Sequence, residues 1–325
     1  MSSPGKHGAA ALALAVACTA AAAFDLQGHR GARGLAPENT LAGFAEALRI
    51  GVTTLELDTG VTRDGAVVVM HDRRLNPDFT RDEQGRWITP PGTPLRELTL
   101  AALQRHDVGR LQPGTRYAQT FAAQQPADGE RVPTLDAVFA QVARWGADDV
   151  RFNIETKLSP LEPLLAPPPE DFVRAVVEVV RRHGVQGRVT LQSFDWRTLR
   201  AAQRMAPEIA TVALTVQTAN FDNLAGGVWT AGLKLADHGG SVPRLVQAVG
   251  ARTWSPFHGN LSEAALKEAK ALGLAVVPWT VNEPADIDRL LGWGVDGIIS
   301  DHPDRVRAAM ARRGMALPAP LDLPR

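Results

Sequence analysis

The stretch Thr53-Thr54-Leu55-Glu56-Leu57-Asp58-Thr59-Gly60-Val61-Thr62-Arg63-Asp64-Gly65-Ala66-Val67-Val68-Val69-Met70-His71 holds two strand patterns that cannot run in the same direction. Thr53–Thr59 reads as one strand and Ala66–His71 as another, with Thr62-Arg63-Asp64-Gly65 between them. A parallel crossover takes a dozen or more residues, so this short link dictates an antiparallel hairpin turning at Asp64-Gly65. The hairpin brings His71 back to the neighbourhood of the strand that carries Glu56 and Asp58.

Outward from this hairpin, short β-branched runs alternate with helical patterns, the signature of βα units around a parallel sheet. With Thr53–Thr59, the parallel strands are Leu26–Arg30, Phe152–Lys157, Arg188–Ser193, Ile209–Thr215, Thr253–Pro256, Ala275–Thr280 and Gly297–Asp301. Helices are expected at Thr40–Arg49, Leu135–Trp145, Asp171–His183, Asp195–Met205, Val242–Val249, Ser262–Leu272, Pro284–Leu291 and Pro303–Arg312. Asp195, Ser262 and Asn282 stand where side-chain oxygens can cap helix N-termini. Eight parallel strands with intervening helices predict an α/β fold, a (β/α)8 TIM barrel, with the hairpin inserted after its second strand. A further segment, about residues 73–132, is rich in Pro, Gly, Arg and Gln and has little periodicity. Its length points to a lid or small subdomain.

The 325 residues contain 35 basic and 35 acidic side chains, so the formal net charge is zero. That balance argues against a nucleic-acid partner or broad attraction to an anionic membrane, and any phosphate recognition must be local. Arginine far outnumbers lysine. Residues 1–23 place Lys6 before an apolar run from Ala9 to Ala17 and end in Ala21-Ala22-Ala23, the order of a secretory signal peptide. The run is too short to span a membrane, which takes about 20 apolar residues. The expectation is a cleaved signal at 1–23, a single domain at 24–325, and a periplasmic or secreted location. Cys18, the sole cysteine, offers an alternative as a lipidated N-terminus, against which Ala15 stands where a lipobox prefers leucine.

In such barrels the active site lies at the C-terminal ends of the strands. Four strand ends here are polar: Gly28-His29-Arg30-Gly31, Glu56-Leu57-Asp58, His71-Asp72, and Asn153-Ile154-Glu155-Thr156-Lys157. Side chains alternate along a strand, so Glu56 and Asp58 share a side, as do Asn153, Glu155 and Lys157. Convergent carboxylates repel, and a cation is the natural compensation; oxygen-only ligands favour Mg²⁺, Ca²⁺ or Mn²⁺ over zinc. The alternative pairs the acids with Arg30, Arg63 or Lys157 as structural salt bridges. His29 and His71 titrate near neutrality, which suits a general acid and a general base in transfer at phosphorus. Arg30 offers a bidentate fork and Lys157 a point charge to a phosphate. Trp279 stands at a strand end, where a role at the site competes with core packing.

Taken together, Gly28-His29-Arg30-Gly31, Pro37-Glu38-Asn39-Thr40, Glu56-x-Asp58, Asp64-Gly65, His71-Asp72 and Glu155-x-Lys157 resemble the glycerophosphodiester phosphodiesterase family. The likeness continues through Gln192-Ser193-Phe194, Trp279-Thr280-Val281-Asn282 and Asp296-Gly297-Ile298-Ile299-Ser300-Asp301-His302-Pro303, with Ser300 where many members carry threonine. The resemblance implies that Glu56, Asp58 and Glu155 bind a divalent cation, Ca²⁺ or Mg²⁺, while His29 and His71 act as acid and base. It also implies that Arg30 and Lys157 contact the phosphate, and that Trp279 packs on the glycerol. The substrate would be a small glycerophosphodiester, a deacylated phospholipid, hydrolysed to sn-glycerol 3-phosphate and an alcohol. The nucleophile, water or the adjacent glycerol hydroxyl, and the assignment of acid and base stay open. Residues around Thr99–Thr134 resemble the insertion of periplasmic members. Two rival readings are a phospholipase of the related barrel type, for which no apolar surface helix offers a membrane seat, and a binding protein that has lost catalysis. Head-group preference and oligomeric state are not legible.

Overall fold

The computed structural model describes residues 23–323. The expected signal peptide and the lipidation alternative at Cys18 fall almost wholly outside them. Eight parallel strands form the barrel: β1 (Asp25–Gly28), β2 (Thr54–Val61), β4 (Arg151–Thr156), β5 (Val189–Ser193), β6 (Ala210–Thr215), β7 (Thr253–Pro256), β8 (Ala275–Val276) and β9 (Gly297–Ser300). The sheet runs β8-β7-β6-β5-β4-β2-β1-β9, and β3 (Val67–Val69) pairs only with β2. Backbone hydrogen bonds from Asp296 to Val276, from Ile299 to Pro278 and from Val281 to Ile299 link the two ends of this order. The ring is thereby nearly closed, which leaves few unpaired edge groups. The ladder at β8 is shorter than the expected Ala275–Thr280 strand, because Pro278 has no N–H to give; Val277 and Trp279 still donate to Trp254 and Pro256.

The helices are α1 (Leu41–Ile50), α2 (Leu100–Leu103), α3 (Arg116–Thr120), α4 (Leu135–Arg144), α5 (Pro169–Arg182), α6 (Trp196–Met205), α7 (Val242–Val249), α8 (Glu263–Ala271), α9 (Pro284–Trp293) and α10 (Pro303–Arg312). On α5 the residues Phe172, Val173, Val176, Val177 and Val180 are buried, the i, i+3, i+4 stripe that seats a helix on the barrel wall. Asp195 and Ser262 cap α6 and α8 as expected. Asn282 does not cap α9: that helix starts from Glu283 without a side-chain cap. The Asn282 carboxamide is instead spent on Ser300 and Asp301 at the neighbouring strand end.

The hairpin pairs Thr59 with Val69, Gly60 with Val68 and Val61 with Val67. Gly65 closes its turn at φ 84°, a left-handed conformation that glycine takes without steric cost. Strand alternation then divides β3 between two cores. Val67 and Val69 join the barrel core. Val68 and the following Met70 join a separate cluster with Leu75, Phe79, Leu95, Leu103, Val108 and Val132. The inserted segment is therefore a small subdomain built on the outer face of the hairpin.

Candidate active site

The turn after β1 sets the first two functional side chains. A Cβ at Gly28 would fall 2.1 Å from the Gly31 carbonyl, and one at Gly31, where φ is 90°, would fall 2.6 Å from the Gly43 backbone. Two glycines therefore permit a tight turn that holds Arg30 at φ 51° and aims His29 and Arg30 into the barrel mouth. His29 Nδ1 lies 2.6 Å from Asp301 Oδ1 at the end of β9, and its Nε2 lies 3.9 Å from Glu56 Oε2. The Arg30 N–H donates to Glu56 Oε2 at 2.9 Å, while its guanidinium reaches Glu38 at 2.8 Å and Asp58 at 3.2 Å.

Strand register places the three acids. Asp58 of β2 stands beside Glu155 of β4, and Glu56 lies two residues back on the same face as Asp58. The three offer carboxylate oxygens within 4.8 Å of one another, and all are buried. Gln192 of β5 donates to Glu56 at 2.6 Å, and Asn39 donates to Asp58 at 2.9 Å. Asn39 does so from φ 54°, a conformation asparagine tolerates better than most residues. Lys157 Nζ is 2.7 Å from Glu155 and 3.7 Å from Asp58. The salt-bridge alternative is thus partly realised, by Arg30 and Lys157. It does not exhaust the cluster, since Asp58 Oδ1 is buried without a hydrogen-bond partner.

The electrostatics carry the mark of that crowding. Burial and the Asp58 charge push Glu56 well above the ordinary carboxylate range. Burial pushes Glu155 up to about 7 against the pull of Lys157. Burial also opposes ionisation of Asp58, but Arg30, His71 and Lys157 outweigh it and hold the group low. Two carboxyls that resist ionisation beside one that stays charged, with an oxygen that makes no hydrogen bond, form a donor set suited to a hard, oxygen-seeking cation.

His71 arrives on the hairpin, whose Met70 N–H donates to the Asp58 carbonyl. Its Nδ1 is 2.8 Å from Asp72 Oδ1, and 30% of its side chain stays open to solvent. Burial, then Arg30 and Lys157, hold it well below the usual histidine range. Burial likewise lowers His29, in spite of Asp301. Asp301 stays ionised because Arg33 and His29 overcome its burial. Each imidazole therefore offers Nδ1 to an aspartate, which leaves Nε2 as the free ring nitrogen.

A cavity of about 140 Å³ joins these groups, lined by His29, Arg30, Glu56, His71, Glu155 and Lys157 with an apolar wall that includes Phe194 and Trp279. The Trp279 indole N–H is fixed by the Ser255 carbonyl at 3.0 Å, and its ring meets Phe194 nearly edge-on. All eight residues singled out in the sequence converge on one mouth. Sequence reasoning passed over Arg33, which also lines the cavity and clasps Asp301 through two nitrogens at 2.8 and 3.1 Å. It also assigned no role to Asp301 or Glu38, although both fall inside quoted motifs; buried charged residues with opposite charges at other strand ends were the available signal.

A family model described as the Glycerophosphoryl diester phosphodiesterase family matches residues 29–305, from the first histidine of the site to the last helix. The chain belongs to this family. It is a phosphodiesterase, a hydrolase of the glycerophosphodiester phosphodiesterase type. A glycerophosphodiester phosphodiesterase from Caldanaerobacter subterraneus subsp. tengcongensis is 29% identical over 85% of this chain and 93% of its own length. One from Bacillus subtilis is also 29% identical, over 85% of this chain and 83% of its own. A crystal structure from Silicibacter pomeroyi DSS-3 described as of this enzyme type superposes with a TM-score of 0.81 at 36% identity, covering 91% of this chain and 95% of that one. A phosphodiesterase from Oleispira antarctica, solved with sn-glycerol-3-phosphate, shares the fold at a TM-score of 0.64 and 22% identity, over 88% of this chain and 96% of that one.

Proposed function

We propose that this phosphodiesterase hydrolyses small glycerophosphodiesters to sn-glycerol 3-phosphate and an alcohol, in a reaction that depends on a divalent cation and uses His29 and His71 as its acid–base pair. The observation that carries the reading is the buried Asp58 Oδ1, which makes no hydrogen bond and whose ion-pair partner Lys157 Nζ stands off at 3.7 Å, set with two reluctant carboxyls, Glu56 and Glu155, in the mouth that His29 and His71 also line. Glu56, Asp58 and Glu155 would hold Ca²⁺ or Mg²⁺. When bound, the cation supplies Lewis acidity, drawing charge from phosphoryl oxygens without moving protons.

The remaining chemistry belongs to side chains. Arg30 is held beside the acids by Glu38 and Asp58, so its fork is preorganised to bind phosphoryl oxygen with little reorganisation. Lys157 adds a point charge from just past the C-terminal end of β4. One histidine takes the proton of the nucleophile through its free Nε2, and the other returns a proton to the departing alcohol oxygen. Asp301 and Asp72 accept from Nδ1 of the two rings, which leaves Nε2 of the base free to take a proton and stabilises the acid as the imidazolium, whose Nε2 proton goes to the leaving oxygen. Trp279, pinned to Ser255 and braced by Phe194, gives the glycerol carbons a flat wall. Export ahead of Phe24 completes the proposal, supported by the charged, apolar and small-residue order of residues 1–23.

Two variants test it. His71→Ala should lower turnover by at least about a hundredfold with folding intact, the scale of general acid–base contributions. Glu56→Ala should weaken Ca²⁺ or Mg²⁺ binding in calorimetry and lower activity in parallel. A folded, fully active His71→Ala protein, or unchanged cation binding in Glu56→Ala, would remove these residues from their roles.

A further inference from the structure

The inserted subdomain meets the active site at a junction centred on Tyr117. Tyr117, the single tyrosine of the chain, stands on α3 within the insertion. Its ring packs edge-on against Phe121 at 5.0 Å and tilted against Phe79 at 6.0 Å. Its hydroxyl donates to Glu38 Oε2 in a very short contact and accepts from Arg33 Nη1 at 3.2 Å. From that hydroxyl two chains of contacts run inward. One passes through Glu38 to the Arg30 guanidinium at 2.8 Å. The other passes through Arg33 to Asp301 and on to His29 at 2.6 Å.

The surrounding contacts lock the same junction. The Arg33 guanidinium lies over the Phe121 ring at 4.6 Å, within the range of a cation–π contact. Gln124 donates to the Arg33 carbonyl at 2.7 Å, and the Gln125 N–H donates to the Leu35 carbonyl at 2.8 Å. Burial and the neighbouring Glu38 keep the phenol protonated far above neutrality, so it stays a donor throughout the working range. A long arginine side chain gives up much rotamer freedom when it is held in one geometry. Arg30 also sits in a left-handed backbone conformation that its surroundings must hold. A hydroxyl that ties Glu38 to Arg33 restrains both guanidiniums at once.

We propose that Tyr117 is a positioning residue for the reaction: through it the inserted subdomain sets Arg30 for the phosphate and, by way of Arg33 and Asp301, His29 for proton transfer. This rests on the roles given above to Arg30 and His29. It assigns the insertion a part in the active site rather than in stability alone.

The test is Tyr117→Phe, which removes the hydroxyl and keeps the ring against Phe79 and Phe121. The kcat/KM for glycerophosphocholine should fall at least about tenfold and inhibition by glycerol 3-phosphate should weaken, the scale on which outer contacts tune a site. Cation affinity by calorimetry should change far less than kcat/KM, because the hydroxyl touches Glu38 and Arg33 and none of Glu56, Asp58 or Glu155. Glu38→Gln should lower kcat/KM as well, and the double variant Tyr117→Phe/Glu38→Gln should lose less than the product of the two single losses. Wild-type kinetics in Tyr117→Phe, strict additivity, or loss of cation binding in step with activity would overturn the proposal. Arg30→Ala, measured alongside, separates the two levels. If it weakens glycerol 3-phosphate inhibition while Tyr117→Phe does not, only the role of Tyr117 fails. If Arg30→Ala inhibits normally, the phosphate role of Arg30 fails and takes this inference with it.

Discussion

Glu155 shows how a single residue is tuned by its neighbours. Its strand register puts it beside Asp58, and burial raises its carboxyl to about 7 even with Lys157 at 2.7 Å. A carboxyl raised by folding adds stability while it is protonated, below the ordinary value of about 4.3, and that contribution is lost as pH rises through the folded value. Glu155→Gln mimics the neutral form at every pH. In EDTA, the variant should therefore gain in Tm relative to the wild-type protein as pH rises from about 5 to 8, with the gain completed above about 7. Saturating Ca²⁺ or Mg²⁺ should reverse the order, since only the carboxylate offers a charged ligand. Scanning calorimetry at three pH values checks both halves, and a pH-independent difference would contradict the assigned cause. At this scale the site was largely legible: carboxylates and histidines at strand ends are costly to bury and so stand out. Arg33 did not, because an arginine just past a strand looks like ordinary surface until Asp301 is seen to face it.

Among the elements, the β1–α1 turn and the β2–β3 hairpin set the site's geometry. The hairpin could be read from its length alone, since so few residues exclude a crossover, and it carries His71 to Asp58 as that reading requires. The reading of Asn282 as a helix cap failed because a cap is inferred from the local chain, whereas this side chain is claimed by Asp301, 19 positions away. The turn after β1 gives the sharper prediction. Gly31→Ala meets both a left-handed φ and backbone 2.6 Å away, with no flexible side chain to give. It should cost at least about 1–3 kcal/mol of stability and displace Arg30, lowering kcat/KM as well. Urea unfolding and steady-state kinetics on the purified variant check it. A variant of wild-type stability would show that the turn relaxes freely.

Across the whole molecule, a nearly closed barrel carries its chemistry on one rim and a second small core on the back of the hairpin. The barrel was legible because the strand and helix periods repeat along most of the chain. The subdomain was not, because its core draws single residues such as Leu75, Phe79, Leu95, Leu103 and Val108 from short irregular segments and single helical turns with no sustained period. Only the alternation of β3 hints at it, with Val68 and Met70 facing away from the barrel core. Its connection to Arg30 and Arg33 through Tyr117 depends on long-range contacts that no local pattern encodes. Among the described residues no helix is long and apolar enough to cross a membrane. The formal net charge is zero, and the cations that line the mouth, Arg30, Arg33 and Lys157, stand among acids that pair with them.

The most direct measurement is release of glycerol 3-phosphate from glycerophosphocholine by the purified protein, first in EDTA and then with Ca²⁺ or Mg²⁺ restored. The account predicts release that EDTA abolishes and the cation recovers. Release that persists undiminished in EDTA, or none from folded protein supplied with either cation, would contradict it.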